Sequence, residues 1–309
     1  MTSRAVTVAE LMTRAREMSD MQKTNFITDE ELVRYISNEY TELYDLLVTR
    51  YDHYYVNPTP FTITQSGVDL YDLPTDFYKL SGVEKQVNGS GAQSWQTMLP
   101  FNFAERNEVS TFNLFAQRYC IVGDKIMFRG NSLTQVVRLW YISPPKELDK
   151  KVTISSVDPT GDMFTATAHG FLNGDFLYIR GVSLPGGIVA NQKYFVVGAT
   201  TNTFQVSLIE DDAAIDITST GSGVIKAEWY GAGQSIDGVS GWEDLVAVNT
   251  AIRMLSKEES DTTELQRKRQ LLVKRIEAAA QSRDQANCHS VTDVRSQATS
   301  AEWPLGWSF

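Results

Sequence analysis

Two amphipathic stripes, set far apart in the chain, constrain this sequence more than any other feature. Leu32, Ile36, Tyr40, Leu43 and Leu47 recur at intervals of four, four, three and four, which puts them on one face of a helix. Near the other end, Trp242, Leu245, Val248, Ile252 and Leu255 repeat the pattern. An apolar stripe on one helix must be covered by another element. The two ends of the chain are therefore expected to meet, and the long middle must leave that meeting point and return.

Start signals agree with this reading. Thr7 with Glu10, Thr28 with Glu31, and Ser240 with Glu243 each match a capping box, in which a hydroxyl takes a helical amide and a carboxylate reaches back. They predict helices ending near Ser19, Arg50 and Lys257. Ser260-Asp261-Thr262-Thr263 starts a fourth, with Leu265, Leu272, Ile276 and Ala279 on one face up to about Arg283.

Between these helices the period changes. Phe61 to Thr64, Lys79 to Val87 and Val136 to Ile142 read as strands, and Cys120-Ile121-Val122 with Lys125 to Phe128 reads as a hairpin turning at Gly123-Asp124. From 151 to 228 helical periodicity disappears, and five or six short strands alternate with turn clusters such as Asp158-Pro159-Thr160-Gly161 and Pro185-Gly186-Gly187. The expected class is α+β: a helical bundle core with accessory β-strands and an inserted small all-β domain, sandwich or barrel. Residues 1–150 and 229–285 would form one discontinuous domain, 151–228 the insertion, and 286–309 an extended C-terminal docking tail. With 309 residues and about 150 per domain, two domains is also the expectation from length.

Composition narrows the function. Lys and Arg number 28 against 38 Asp and Glu, a formal charge of −10, which argues against coating nucleic acid or binding an anionic membrane. Cys120 and Cys288 form no disulfide framework or metal knuckle and fit a reducing compartment. The first twenty residues lack the apolar core of an export signal, and no apolar run nears the roughly 18 residues of a spanning helix.

Converging reactive groups are also scarce. His53, His169 and His289 sit in unrelated contexts without metal-ligand spacing, and Cys288-His289 lacks a third group to orient a base. Gly231-Ala232-Gly233 lacks the endings of a phosphate loop and reads as a flexible linker. Asp211-Asp212 reads as a solvated turn. The expectation is no enzyme, no cofactor and no metal.

Two features invite docking. Arg267, Lys268, Lys274 and Arg275 form a basic strip, either a docking strip for an acidic protein surface or nucleic acid, or a solvated face offset by nearby acids. Trp303, Leu305, Trp307 and Phe309 gather aromatic bulk after a polar stretch, either an anchor for a partner or a strap on the chain's own domain.

Phe26 to Leu47, Tyr71 to Leu80, and Gly241 to Glu259 together resemble tailed-bacteriophage neck proteins of the head-to-tail adaptor class. His169-Gly170-Phe171 with Gly174-Asp175, Tyr194 to Val197 and Asn202 to Val206 resembles small β modules inserted in many phage virion proteins. The resemblance implies a structural virion protein, made in the host cytoplasm, forming a ring, usually a dodecamer, that joins the portal to the tail. Its partners would be the portal protein, a tail or stopper protein and further copies of itself, with DNA passing through the channel without specific binding and no membrane. Ring packing would fall to Leu32, Ile36, Tyr40, Leu43, Leu47, Trp242, Leu245 and Ile252. The alternatives are a carbohydrate- or receptor-binding virion module, which needs Phe176, Tyr178, Tyr194 and Phe195 exposed in a row, and a DNA-binding helical protein using Arg267 to Arg275.

Overall fold

The computed structural model describes residues 6–22, 26–51, 53–65, 70–87, 95–107, 117–129, 135–236 and 242–282. Four helices form at the expected places: α1 (Val8–Ser19), α2 (Asp29–Arg50), α3 (Glu243–Lys257) and α4 (Thr263–Ser282). The Thr7 box closes both ways, at 3.2 Å from the Glu10 amide to Thr7 Oγ1 and 3.4 Å from the Thr7 amide to Glu10 Oε2. At α2 the Thr28 hydroxyl accepts from the Glu31 amide, but the Glu31 carboxylate accepts from Lys257 Nζ at 2.7 Å instead of turning back. Trp242 caps α3 without a side-chain bond, and Ser240 lies outside the described residues. The stripes meet as their spacing requires: α3 packs on α1, α2 and α4.

The helical bundle core with accessory strands is corrected by the structure. Strands make up more of the described residues than helices do and build several sheets. One four-stranded sheet runs in the order Phe61–Gln65, Gln135–Ile142, Lys79–Gln86, Trp95–Thr97, and a second in the order Leu70–Asp72, Lys125–Arg129, Arg118–Val122, Leu99–Pro100. Ile63, Val83, Val137 and Leu139 of the first pack with Ile126 and Phe128 of the second and with Met98, so this segment has a core of its own. The Gly123-Asp124 hairpin forms, with Gly123 at φ +64°, where a side chain would be strained.

The seven-stranded antiparallel sheet, Asp149–Ile154, Ser222–Tyr230, Phe176–Ser183, Lys193–Val197, Thr203–Ser207, Met163–Thr165, Ser156–Asp158, curls into a half-barrel. Period-two alternation divides its aromatics. Leu177 and Trp229 point into the sheet's own core, while their neighbours Phe176 and Tyr230 join the core of the helices.

Gly231-Ala232-Gly233, read from sequence as flexible, is pinned instead. The Val8 and Ala9 amides, which α1 cannot satisfy itself, donate to the carbonyls of Gln234 and Ala232, both at 2.9 Å. Val6–Thr7 pairs with Ser235–Ile236. Gly233 passes so close to Asn173 that a Cβ there would stand 2.8 Å from its carbonyl oxygen.

Candidate docking surfaces

The stripe residues expected to pack a ring are placed inside the subunit. Leu32, Ile36, Tyr40, Leu43, Leu47, Trp242 and Leu245 belong to the helical core, and Ile252 is half-buried. Their apolar area is already removed from water, so a neighbouring copy would have to meet other surfaces.

α4 sits on the pair α2 and α3 partly through polar groups. Ile276 and Ala280 are buried, and Leu265, Leu272 and Val273 are half-buried. Arg269 donates to Asn249 of α3 at 3.0 Å and pairs with Glu42 of α2, while Arg50 of α2 pairs with Glu277 at 2.6 Å. A groove of about 750 Å³ runs along this seam, lined by Leu46, Leu245 and Val273 between the charges of Asp45, Arg50 and Lys274. Beside it, a smaller one of about 310 Å³ lies over Glu39, Asn249, Ile252 and Arg253. Burial pushes the Glu39 carboxyl up, opposed by a hydrogen bond from Asn249 and the charge of Arg253.

Of the basic strip, Lys274 stands at the rim of this groove, while Arg267, Lys268 and Arg275 do not line it. Arg267, Lys268, Lys274 and Arg275 are all exposed and make no ion pair among the described residues. Trp303, Leu305, Trp307 and Phe309 lie outside the described residues.

Where the half-barrel meets the helices there is a charged junction that sequence reading missed. Asp29, the first residue of α2, accepts from Arg16 of α1 at 3.0 Å and from Lys193 of the sheet at 2.7 Å. Burial pushes its carboxyl up, but the hydrogen bond and charge of Lys193, with the charge of Arg16, outweigh it and hold the group below 3.8. Lys193 lies over the rings of Phe176 and Phe195, and Arg34 donates to the Tyr230 hydroxyl at 2.8 Å. Lys193 and Asp29, and likewise Arg34 and Tyr230, are separated by long stretches of chain, and no local spacing marks them.

Asp175 is fully buried and accepts from Trp229 Nε1 at 2.7 Å and from the amides of Leu172 and Gly233 at 2.8 and 2.9 Å. Burial raises its pKa, with these bonds opposing. It ties the sheet to the strap of 231–236. His169 is buried, its Nδ1 accepting from the Phe171 amide at 3.0 Å. Burial lowers its pKa, in keeping with a neutral structural ring. Among the described residues no group of three or more His, Cys, Asp or Glu is arranged to hold a metal, and no helix is long and apolar enough to cross a membrane.

The aromatic row required for sugar binding is not displayed. Phe176 and Tyr194 are buried, and Tyr178 and Phe195 are half-buried against the helical core.

A protein family described as SU10 adaptor protein matches residues 6–172. That stretch takes in α1, α2, both four-stranded sheets and the first three strands of the half-barrel, and stops before Phe176. Of the segments that carry the adaptor resemblance, 26–47 and 71–80 fall within it and 241–259 beyond it. No curated protein matches the chain.

Proposed function

The chain belongs to the SU10 adaptor protein family, whose members are components of the phage virion, and from that membership we propose that it is the neck subunit of a ring joining the portal to the tail. In this reading DNA passes through the channel without specific binding, the partners are the portal protein, a tail or stopper protein and further copies of the chain, and the role is structural rather than enzymatic. The observation that carries it is the family match across more than half of the chain. The net charge of −10 supports it, because a channel for DNA should repel phosphate rather than retain it.

Within the subunit we assign 1–150 and 229–285 to one discontinuous adaptor domain, 151–228 to an inserted β domain, and 286–309 to a docking tail that anchors Trp303, Leu305, Trp307 and Phe309 on the portal or a neighbouring copy. Electron microscopy of the full-length chain mixed with portal-bearing heads tests the ring. Equal copies in a closed ring between portal and tail are expected, and a single copy bound off-axis would refute it. Truncation at Ser300 tests the tail: the shortened chain should stay folded and soluble yet fail to join heads, and undiminished attachment would remove the anchor from this account.

A further inference from the structure

We infer that the exposed basic face of α4 and the acidic turn at 208–212 are the two halves of one contact between copies of this chain. The inference rests on the ring reading and specifies how neighbours would touch. On α4, Arg267, Lys268, Lys274 and Arg275 surround Leu271, which is 62% exposed, at spacings of three and four that place all five on one face. At the turn, Leu208 and Ile209 are 55% and 63% exposed and are followed by Glu210, Asp211 and Asp212, also exposed and without ion pairs among the described residues. The turn is built rather than loose: the Asp212 amide donates to the Ile209 carbonyl at 3.3 Å, the Ser207 hydroxyl donates to the same carbonyl, and Asp211 is left-handed at φ 59°. Each patch is thus an exposed aliphatic contact ringed by charge, and the two charges are opposite.

Their placement explains why they stay unsatisfied within one subunit. α1 and α4 each pack on α2 and α3 but hardly meet each other. The turn lies on the α1 flank, where Glu210 lines a cleft with Thr7, Met12 and Thr13, whereas the basic face lies on α4. Two complementary patches on different flanks cannot close on themselves. They make a heterologous contact, and such contacts generate rings when the rotation closes. A nucleic acid would take the cations, but its phosphates offer Leu271 no apolar partner and leave Leu208 and Ile209 in water. A second copy accounts for both patches.

Charge reversal in the full-length chain tests this, with assembly read by native mass spectrometry alone and by attachment to portal-bearing heads. Arg267→Glu, Lys268→Glu, Lys274→Glu and Arg275→Glu together should raise the concentration needed for assembly at least about tenfold, as should Glu210→Lys, Asp211→Lys and Asp212→Lys together. A chain carrying both sets should assemble again. All substituted positions are exposed, so the α4 reversal should leave thermal unfolding unchanged. In the turn, Asp211 is left-handed and the Asp212 carboxylate accepts from the Ala213 amide at 2.8 Å. Glu210→Gln, Asp211→Asn and Asp212→Asn together, which remove the charge and keep the turn chemistry, therefore serve there as the folding control and should weaken assembly in the same direction. A Leu271→Cys chain mixed with an Ile209→Cys chain should give an intersubunit disulfide between positions 271 and 209. If wild type assembles while neither reversal weakens it, or if the doubly reversed chain stays apart, the contact is wrong and the ring reading stands. Loss of DNA binding without loss of assembly would hand the basic face to nucleic acid and overturn the inference. If wild type forms no multimer alone or on heads, the ring reading falls and the contact with it.

Discussion

Asp29 shows how one carboxylate can couple the half-barrel to the helices. Its folded pKa lies below 3.8, because Lys193 and Arg16 outweigh the burial that pushes it up. A depressed carboxyl pKa contributes stability that is fully present above the unfolded value and is lost as pH falls through the folded one. Lys193→Met should therefore cost about 1–2 kcal/mol near neutrality, and the difference from wild type should shrink as the pH drops below 3.8, read by urea unfolding at both pH values. A loss of equal size under acid would mean that Lys193 acts through its packing on Phe176 and Phe195 rather than through charge. Asp175 carries the opposite sign, since burial raises its pKa and protonation is favoured in the folded state. Asp175→Ala would strand the Trp229 indole N–H and the amides of Leu172 and Gly233, so a loss of roughly 2–5 kcal/mol is expected in the same assay.

Among the four helices of the described residues, α4 is held least by apolar burial. It buries Ile276 and Ala280 and relies on Arg269 and Glu277 for its polar ties to α2 and α3. Regions with few buried apolar contacts open at low free energy. Arg269→Ala should speed amide exchange along Thr263–Ser282 by a factor of about ten while leaving α1 unchanged, because about 1–2 kcal/mol of local stability is removed. Equal acceleration in α1 would show that the four helices open together. α1 is held from outside as well: its first turn is closed by the Thr7 box and by the 231–236 strap, so Thr7→Ala should cost about 1 kcal/mol.

At the scale of the molecule, the three larger cores of the described residues are joined by a few residues between them. Tyr44, Val48 and Ile142 connect the helices to the four-stranded sheets, and Phe176 and Tyr230 connect them to the half-barrel. The half-barrel therefore shares part of its packing with the helices. Phe176→Ala should destabilise the protein by about 3–5 kcal/mol, and the loss should be seen in the helical signal as well as in the sheet. Replacing 151–228 with a short linker should expose apolar helical surface, measurable as increased dye binding. Unchanged helix stability in that deletion would show that the two cores are energetically separate.

The helices and their order are legible in the amino-acid sequence, because an amphipathic stripe with a capping residue is local information. Its Thr7 box, the starts of α1, α2 and α4 and the Gly123 hairpin could be read from neighbours a few residues apart, whereas α3 begins at Glu243 with Trp242 as its cap and the box expected from Ser240 falls outside the described residues. Adaptor kinship was legible too, in segments 26–47 and 71–80. The number and weight of the cores was not. Short alternating strands say which residues share a face but not which sheet will cover it, so segments read as accessory built a core around Ile126, Phe128 and Val137. Tertiary structure alone decided that the stripe of Leu32 to Leu47 would be covered within the subunit, that Lys193 would reach Asp29, and that the linker at 231–233 would be held by Asp175. Each of these joins residues far apart in the chain, and only the closed fold brings their charges and apolar faces within contact distance.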